Sequence, residues 1–479
     1  MINKYRDIIN FKLLVSLALA IILGLLIIYL SNIQSFLDSY YFLKYAIFFS
    51  LAIFCIYKIQ QNYSFYLPSF YLFLFFSIVP LFGIKSYQIY SKLYPDYLGV
   101  QLDMKQPLDF WLQGTFFIMF GIYLTHFFKN FTENIKKNAK CKTINYTSWN
   151  WNRLNIILFI ICCISFIFTV YVVVNIGYIP ILKGNIAIER FSYRSTVGDW
   201  PMKLARLWLL VYLLSFIKLI YNIKSNKKIF IRKNLLLIIL LFLSAGLDGI
   251  YGDRFHHFVM FFFSIIIINK VLKKIRLFHF VIFILIAILM ANVVSNIRNK
   301  GLRHIEISFL DKVLFQTFSE YQSFAYLIQE YPMTYFAHGK AFLGTLAPVF
   351  PKQIWKAFNV NKDDMYHKNS ASEMSRIYGH YAGIRVGILG EGFLNFGYFG
   401  IIITSFFVGI LFGILENIYV NSQNLSLKEF IITFSLSILM FLPLAQTNVL
   451  MSMFVYYMYF ILICIFFSNK KVDVGQLGI

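Results

Sequence analysis

Apolar runs of about 20 residues recur along this chain, and they constrain its fold more than any other feature. A helix of that length crosses the roughly 30 Å hydrocarbon core of a bilayer. Charged residues make up 14% of the sequence and apolar residues 59%, whereas about 25% charge is usual for soluble domains. The sequence therefore predicts an all-α polytopic membrane protein.

The apolar runs place about twelve transmembrane helices. Their approximate bounds are 11–30, 40–57, 65–83, 108–128, 154–179, 204–223, 234–250, 255–269, 278–296, 392–415, 430–446 and 449–468. Residues 1–296 then hold helices one to nine and an outer segment at 180–203. Residues 297–391 form a long extracytoplasmic loop, and residues 392–479 hold the last three helices and a cytoplasmic tail.

The distribution of Lys and Arg predicts the orientation. With a cytoplasmic N-terminus, 23 of the 44 basic residues fall on the inner side and 10 in short outer loops. Positive charge favours the cytoplasmic side in short loops, so both termini should be cytoplasmic in the plasma membrane. The net charge of +23 is spread over many loops rather than one face, so no nucleic-acid partner is expected.

The loop of about 95 residues at 297–391 is a candidate functional element, because long loops in compact proteins usually carry function. Apolar residues at helical spacing predict an amphipathic helix over 309–330, lying on the outer surface. Two interpretations have equal support. The helix covers the bundle, or it forms a wall of a substrate channel.

Motifs of soluble enzymes are missing from the sequence. It has no Walker loop, dinucleotide glycine fingerprint, H-E-x-x-H, Cys-x-x-Cys or Asp-x-Asp. The adjacent acids Asp363 and Asp364 lie in a polar loop, where a solvated turn is favoured over a metal site. No metal and no cofactor is expected.

Arginines cluster at the predicted outer surface, where basic residues should be scarce. Arginine binds phosphate oxygens in bidentate geometry and stays charged; interfacial snorkelling is the alternative. The candidates for pyrophosphate or substrate binding are Arg190, Arg194, Arg254, Arg298, Arg376 and Arg385. Arg254 is the most informative, because its hairpin is short and a charge there needs a partner, either Asp253 or an anionic ligand. His256 and His257 next to it fit polar interface residues.

Glu391 is the candidate catalytic acid, flanked by Gly390 and Gly392 just before the predicted tenth span. It could stabilise the helix start through the dipole, or act as a general base that accepts a sugar hydroxyl proton. His380 is a competing base with a suitable intrinsic pKa. Further on, a G-x-x-x-G pair at residues 409 and 413 predicts close packing on a neighbouring helix.

Three segments resemble the oligosaccharide repeat-unit polymerases, the Wzy-type O-antigen and capsular polysaccharide polymerases. LGEGFLNFGYFG (389–400) is similar to the Gly-Glu and Asn-Phe-Gly motif that begins a late span in that family. HGKAFLGTLAPVFPKQIW (338–355) is similar to the segment that often precedes it, and GDR (252–254) to a Gly-x-Arg. Arg376 and Gly387 fit the family's Arg-x10-Gly spacing, whereas Arg190 and Arg194 do not.

This resemblance implies a GT-C-like polymerase or ligase architecture and a metal-independent glycosyltransferase. A growing glycan on undecaprenyl pyrophosphate would move to a sugar hydroxyl of an incoming lipid-linked repeat unit, on the outer side. Membrane lipids, and a flippase and chain-length regulator proteins, are the expected partners. The resemblance implies that Arg254, Arg298, Arg376 and Arg385 bind the pyrophosphate and that Glu391 or His380 is the base. An O-antigen ligase-like transferase and a lipid-linked oligosaccharide flippase are the alternatives.

Overall fold

A computed structural model describes the central and C-terminal parts of the chain, with gaps. The described ranges are 39–60, 67–93, 104–136, 151–180, 196–226, 231–251, 254–272, 320–330, 336–339, 342, 352–357, 386–422, 427–443 and 447–468. Within these ranges the regular structure is helical and there is no strand. The predicted all-α class is confirmed for this part of the chain.

Thirteen helices occupy the described ranges. They are α1 (Ser39–Gln60), α2 (Pro68–Leu93), α3 (Lys105–Lys136), α4 (Trp151–Ile176), α5 (Asp199–Ala205), α6 (Trp208–Asn226), α7 (Ile231–Gly249), α8 (Arg254–Leu272), α9 (Glu320–Glu330), α10 (Lys352–Ala357), α11 (Gly387–Asn421), α12 (Leu427–Leu439) and α13 (Thr447–Ser468). Ten of them coincide with predicted spans, and the predicted spans 11–30 and 278–296 lie outside the described residues.

By length and composition alone, four helical stretches could cross a membrane, namely 105–129, 153–176, 200–224 and 387–421. Six shorter apolar stretches lie in α1, α2, α7, α8, α12 and α13. A multi-pass membrane protein is therefore confirmed, while the count of twelve stays a prediction.

Glycines allow α3 and α11 to pack closely. A Cβ added to Gly121 of α3 would lie 2.6 Å from the Phe406 carbonyl oxygen. On the facing side, Gly409 contacts the backbone of Ile118, and Gly413 lies against α3 one turn further on. The predicted G-x-x-x-G packing is confirmed, because side chains at these positions would separate the two backbones.

Helix α9 packs its apolar face against the bundle, in agreement with the interpretation that this helix covers the bundle. Its residues Tyr321, Phe324 and Leu327 are 0–1% exposed. The rings of Tyr321 and Phe324 each lie 5.4 Å from the ring of Trp111 in α3. Aromatic side chains one turn apart bury a large apolar area, so this part of the helix packs into the bundle. Residues 309–319 of the predicted helix lie outside the described residues.

Side-chain contacts between helices show which ends meet. The ring of Phe255, at the start of α8, lies 4.5 Å from that of Phe441, just after α12. The backbone nitrogen of Ile388, at the start of α11, donates to the Leu442 carbonyl at 2.9 Å. The starts of α8 and α11 and the end of α12 therefore meet at one end of the bundle.

The opposite end holds buried ion pairs. Lys270, near the end of α8, lies 2.9 Å from Glu429 in the first turn of α12. Its Nζ also donates to the Tyr419 carbonyl at 2.6 Å, near the end of α11. A second pair joins His126 of α3 to Glu416 of α11 at 2.9 Å. This arrangement agrees with the alternating chain direction that the sequence predicts.

Candidate functional site

Helix α11 is broken within the segment that carries the family resemblance. Phe396 has φ −143° and ψ 18°, and Gly397 has φ 63° and ψ −146°. Glycine tolerates a positive φ at little cost. The break divides α11 into a half-helix of residues 387–395 and a long segment of residues 398–421.

The half-helix folds back on the long segment as a helical hairpin. A Cβ added to Gly392 would lie 2.7 Å from the carbonyl oxygen of Gly400 and 3.1 Å from Thr404 Oγ1. In a straight helix, residues 392 and 400 would be about 12 Å apart. Glycine at both positions therefore allows the two backbones to touch.

Residues 337–338, in the predicted outer loop, satisfy carbonyl groups that the break leaves without helical partners. Ala337 N donates to the Leu394 carbonyl at 2.9 Å, and His338 N donates to the Asn395 carbonyl at 3.0 Å. Phe336 packs edge-on against Phe393, with ring centroids 6.0 Å apart. His338 begins one of the segments of the family resemblance, so the structure brings two of those segments into contact.

Glu391 is buried in the half-helix, with 1% of its surface exposed. The helix begins at residue 387, and its first turn contains no acid. Glu391 therefore lies in the second turn, so its interpretation as a helix-dipole residue at the helix start is wrong. The Asn395 side chain donates to the Glu391 carbonyl at 2.8 Å and ties the residue to the break.

Arg254 is the first residue of α8, and the structure describes its backbone. Phe255 beside it packs on Phe441, and Leu442 accepts the hydrogen bond from the half-helix. The start of α8 and the half-helix therefore share the turn at 440–443. The other predicted site residues lie outside the described residues. These are Arg190, Arg194, Arg298, Arg376, Arg385 and His380.

A buried polar cluster that the sequence analysis missed lies beside Arg254. His256 Nδ1 and Asp248 Oδ1 are 2.8 Å apart, and the two side chains are 1% and 0% exposed. His256 Nε2 lies 3.3 Å from the hydroxyl of Tyr457, which donates to the Arg206 carbonyl at 2.9 Å. We call the Asp248–His256 pair together with Tyr457 the dyad cluster.

The dyad cluster corrects the interpretation of His256 as an interface residue. Asp248 is an acid near the end of an apolar run, and such an acid in a membrane segment indicates a functional site by default. That signal was present in the sequence. Asp253, one of the two predicted partners of Arg254, lies outside the described residues.

The turn between α7 and α8 also contacts the short segment between α5 and α6. The guanidinium of Arg206 lies 5.7 Å from the ring centroid of Tyr251 in this turn. Burial raises the pKa of Tyr251 to about 12. The phenol is therefore neutral at working pH and adds no charge to the cluster beside it.

This fold defines a class of protein: a multi-pass helical membrane protein with a broken helix and buried acids at one end. The family model for the O-antigen polysaccharide polymerase Wzy matches residues 8–471, nearly the whole chain. The protein therefore belongs to the Wzy family of O-antigen polymerases, as its three resembling segments predict. It polymerises oligosaccharide repeat units into polysaccharide and is an enzyme of polysaccharide biosynthesis. No curated protein and no solved structure matches the chain.

Proposed function

We propose that the protein transfers a growing glycan from undecaprenyl pyrophosphate to a sugar hydroxyl of an incoming lipid-linked repeat unit, on the outer side of the plasma membrane. The family match over residues 8–471 is the observation that carries this proposal. It favours polymerisation over the ligase-like and flippase alternatives. Both termini are proposed to be cytoplasmic, and a flippase and chain-length regulators to be partners.

The reaction exchanges one bond at the anomeric carbon for another. The acceptor hydroxyl oxygen bonds to the anomeric carbon of the donor glycan, and the carbon–oxygen bond to pyrophosphate breaks. The leaving pyrophosphate takes the electron pair, and the hydroxyl proton passes to a base. Because pyrophosphate is a good leaving group, arginine side chains and one base are proposed to suffice without a metal ion.

Glu391 is the proposed base. Three observations support it: the side chain is buried, it does not serve as a first-turn helix acid, and it lies on a half-helix held against the outer-loop segment 336–339. A buried carboxyl on a fixed backbone is a common form of general base. His380 stays the competing base.

The pyrophosphate is proposed to bind Arg254, Arg298, Arg376 and Arg385, with Arg190 and Arg194 as further substrate-binding residues. Support comes from the closeness of two helix starts, because α8 and the half-helix both begin against the turn at 440–443. Arg254 begins α8, and Arg385 precedes the half-helix by two residues. A helix start with arginine nearby favours phosphate, because the helix dipole and the guanidinium charge act together.

Deletion of the gene tests the polymerisation step, with the surface glycan analysed by size. The expected result is a surface that carries single repeat units, restored to polymer by a plasmid copy. Accumulation of lipid-linked polymer would instead indicate a ligase. Repeat units trapped on the cytoplasmic side would indicate a flippase.

A further inference from the structure

The first turn of α8 is anchored on three sides. His256 bonds to Asp248 of α7 at 2.8 Å and lies 3.3 Å from the hydroxyl of Tyr457 in α13. Phe255 packs on Phe441 after α12, with ring centroids 4.5 Å apart. Arg254 is the residue directly before Phe255, so three neighbouring elements fix the backbone that carries it.

The hydrogen bonds fix the imidazole of His256 at both nitrogens. An ionised carboxylate only accepts hydrogen bonds, so His256 Nδ1 donates to Asp248. Nε2 then faces the hydroxyl of Tyr457, which donates to the Arg206 carbonyl at 2.9 Å. A connected chain of polar contacts therefore runs from α7 through α8 and α13 to the segment just before α6.

The neighbouring His257 adds a second link to α7. Its Nε2 is 2.9 Å from the Ala245 carbonyl, and its Nδ1 is 4.0 Å from Asp248 Oδ2. Two consecutive imidazoles in the first turn of α8 thus face the last two turns of α7. Rotation of the α8 start relative to α7 would break both contacts.

Stability alone does not account for a buried carboxyl–imidazole pair at this place. Removing a carboxylate from water is costly, and apolar residues of similar volume often replace buried pairs without loss of stability. This pair differs from the other buried pairs in its place, because His256 lies two residues after Arg254 in the first turn of α8. A second buried pair, His126–Glu416 at 2.9 Å, lies at the opposite end of the bundle and offers a matched control.

We propose that Asp248 and His256 are a positioning pair, which fixes the first turn of α8 so that Arg254 meets the pyrophosphate of the lipid-linked donor. This inference rests on the proposed role of Arg254. Neither Asp248 nor His256 touches the reacting atoms. Their effect on the reaction passes through the backbone of residues 254–256.

A double-mutant cycle tests the pair on purified full-length protein, with a radiolabelled lipid-linked repeat unit and single-turnover rates per folded molecule. Asp248→Asn should lower the rate about 100-fold, because misplacement by about 1 Å costs about that factor. In an Arg254→Ala background the same change should cost less than about threefold, because the arginine it positions is gone. Glu416→Gln, the matched control, should keep the wild-type rate per folded molecule.

Two outcomes overturn the inference. One is a normal rate for Asp248→Asn, and the other is an equal loss in both backgrounds. If Asp248→Asn does not fold, His256→Asn and His256→Ala decide. The Asn amide can replace the Nδ1 donor, so His256→Asn should keep a rate within about threefold of wild type. His256→Ala should lose most of the rate. Equal rates for the two variants would overturn the proposed positioning pair.

Failure of the underlying proposal has a different signature. A normal rate for Arg254→Ala by itself would remove the arginine from the pyrophosphate site. Loss in Arg254→Ala together with a normal Asp248→Asn would leave that site intact and remove only the positioning pair.

Discussion

The position of Glu391 in its helix changes the functional interpretation of this residue. Beside two glycines, an acid near a predicted helix start fits a dipole interaction. The helix begins at residue 387, however, and places Glu391 in the second turn with 1% of its surface exposed. A buried carboxyl carries a desolvation cost that a surface acid does not. This position does not fit a first-turn cap, and the role of Glu391 as general base stays a prediction.

Replacing Glu391 by Gln should lower the polymerisation rate about 100–10,000-fold, the usual cost of losing a general base. Gln keeps the shape of the side chain but cannot accept the hydroxyl proton. The measurement is polymerisation of a lipid-linked repeat unit by purified protein, with His380→Gln in parallel. A near-normal rate for Glu391→Gln would remove it as the base, and a collapse in His380→Gln alone would give that role to the histidine.

Arg254→Ala and Arg376→Ala should each slow transfer so far that cells make no long polymer while the protein stays in the membrane, because the departing pyrophosphate loses bidentate partners. Lysine at either position should restore little, since an ammonium group lacks the planar fork. Surface glycan size and membrane protein level are measured together. Full-length polymer from both alanine variants at normal expression would exclude these arginines from the site.

At the scale of elements, the helical hairpin of α11 depends on glycines that touch backbone. Gly392 and Gly400 face each other across the hairpin, and Gly397 supplies the positive φ at the break. Periodicity predicted a span at 392–415, because the apolar run continues through the break. A reversal of direction inside an apolar run leaves no mark on hydropathy, so the fold-back could not be predicted.

Other elements were predictable because local rules decide them. The G-x-x-x-G pair gave the α3–α11 contact, since small residues are needed wherever backbones approach. The dyad cluster was missed because Asp248 and His256 face each other across the α7–α8 turn. For α9, apolar residues at helical spacing indicated the buried face, but they did not specify that α3 covers it.

Gly400→Ala should open the hairpin and abolish polymer, because its Cβ would meet the carbonyl oxygen of Gly392. Overpacking of this kind typically costs about 1–3 kcal/mol. Gly246→Ala in α7 is the control, because no atom lies within 4 Å of its added Cβ. It should leave polymer length unchanged. Wild-type polymer from Gly400→Ala would contradict the close contact in the hairpin.

Loss of one member of the Lys270–Glu429 ion pair should destabilise the protein more than loss of both members. Lys270→Met leaves Glu429 buried without its cation and should cost about 3–5 kcal/mol, whereas Lys270→Met with Glu429→Leu should recover most of that loss. Thermal unfolding in detergent measures both. Equal destabilisation of the single and double variants would show that Lys270 acts mainly through its bonds to Tyr419 and Ser422.

At the scale of the whole molecule, the buried acids named above and their partners lie at two ends of the bundle. One end holds the half-helix with Glu391, the start of α8 and the dyad cluster. The other holds Lys270, Glu429 and the His126–Glu416 pair. The charge distribution predicts that the first end faces the outer side, where a lipid-linked glycan would meet the enzyme. The proposed chemistry therefore depends on this orientation.

Cysteine labelling tests that orientation directly. In a background without the five native cysteines, a cysteine at Ser195 or Ser370 should react with an impermeant reagent in intact cells. Where an outer membrane is present, it is permeabilised first. A cysteine at Asn226, at the end of α6, should react only after the inner membrane is opened, because positive charge keeps that loop cytoplasmic. Labelling at residue 226 alone would invert the topology and place Glu391 and Arg254 on the side away from the acceptor glycan.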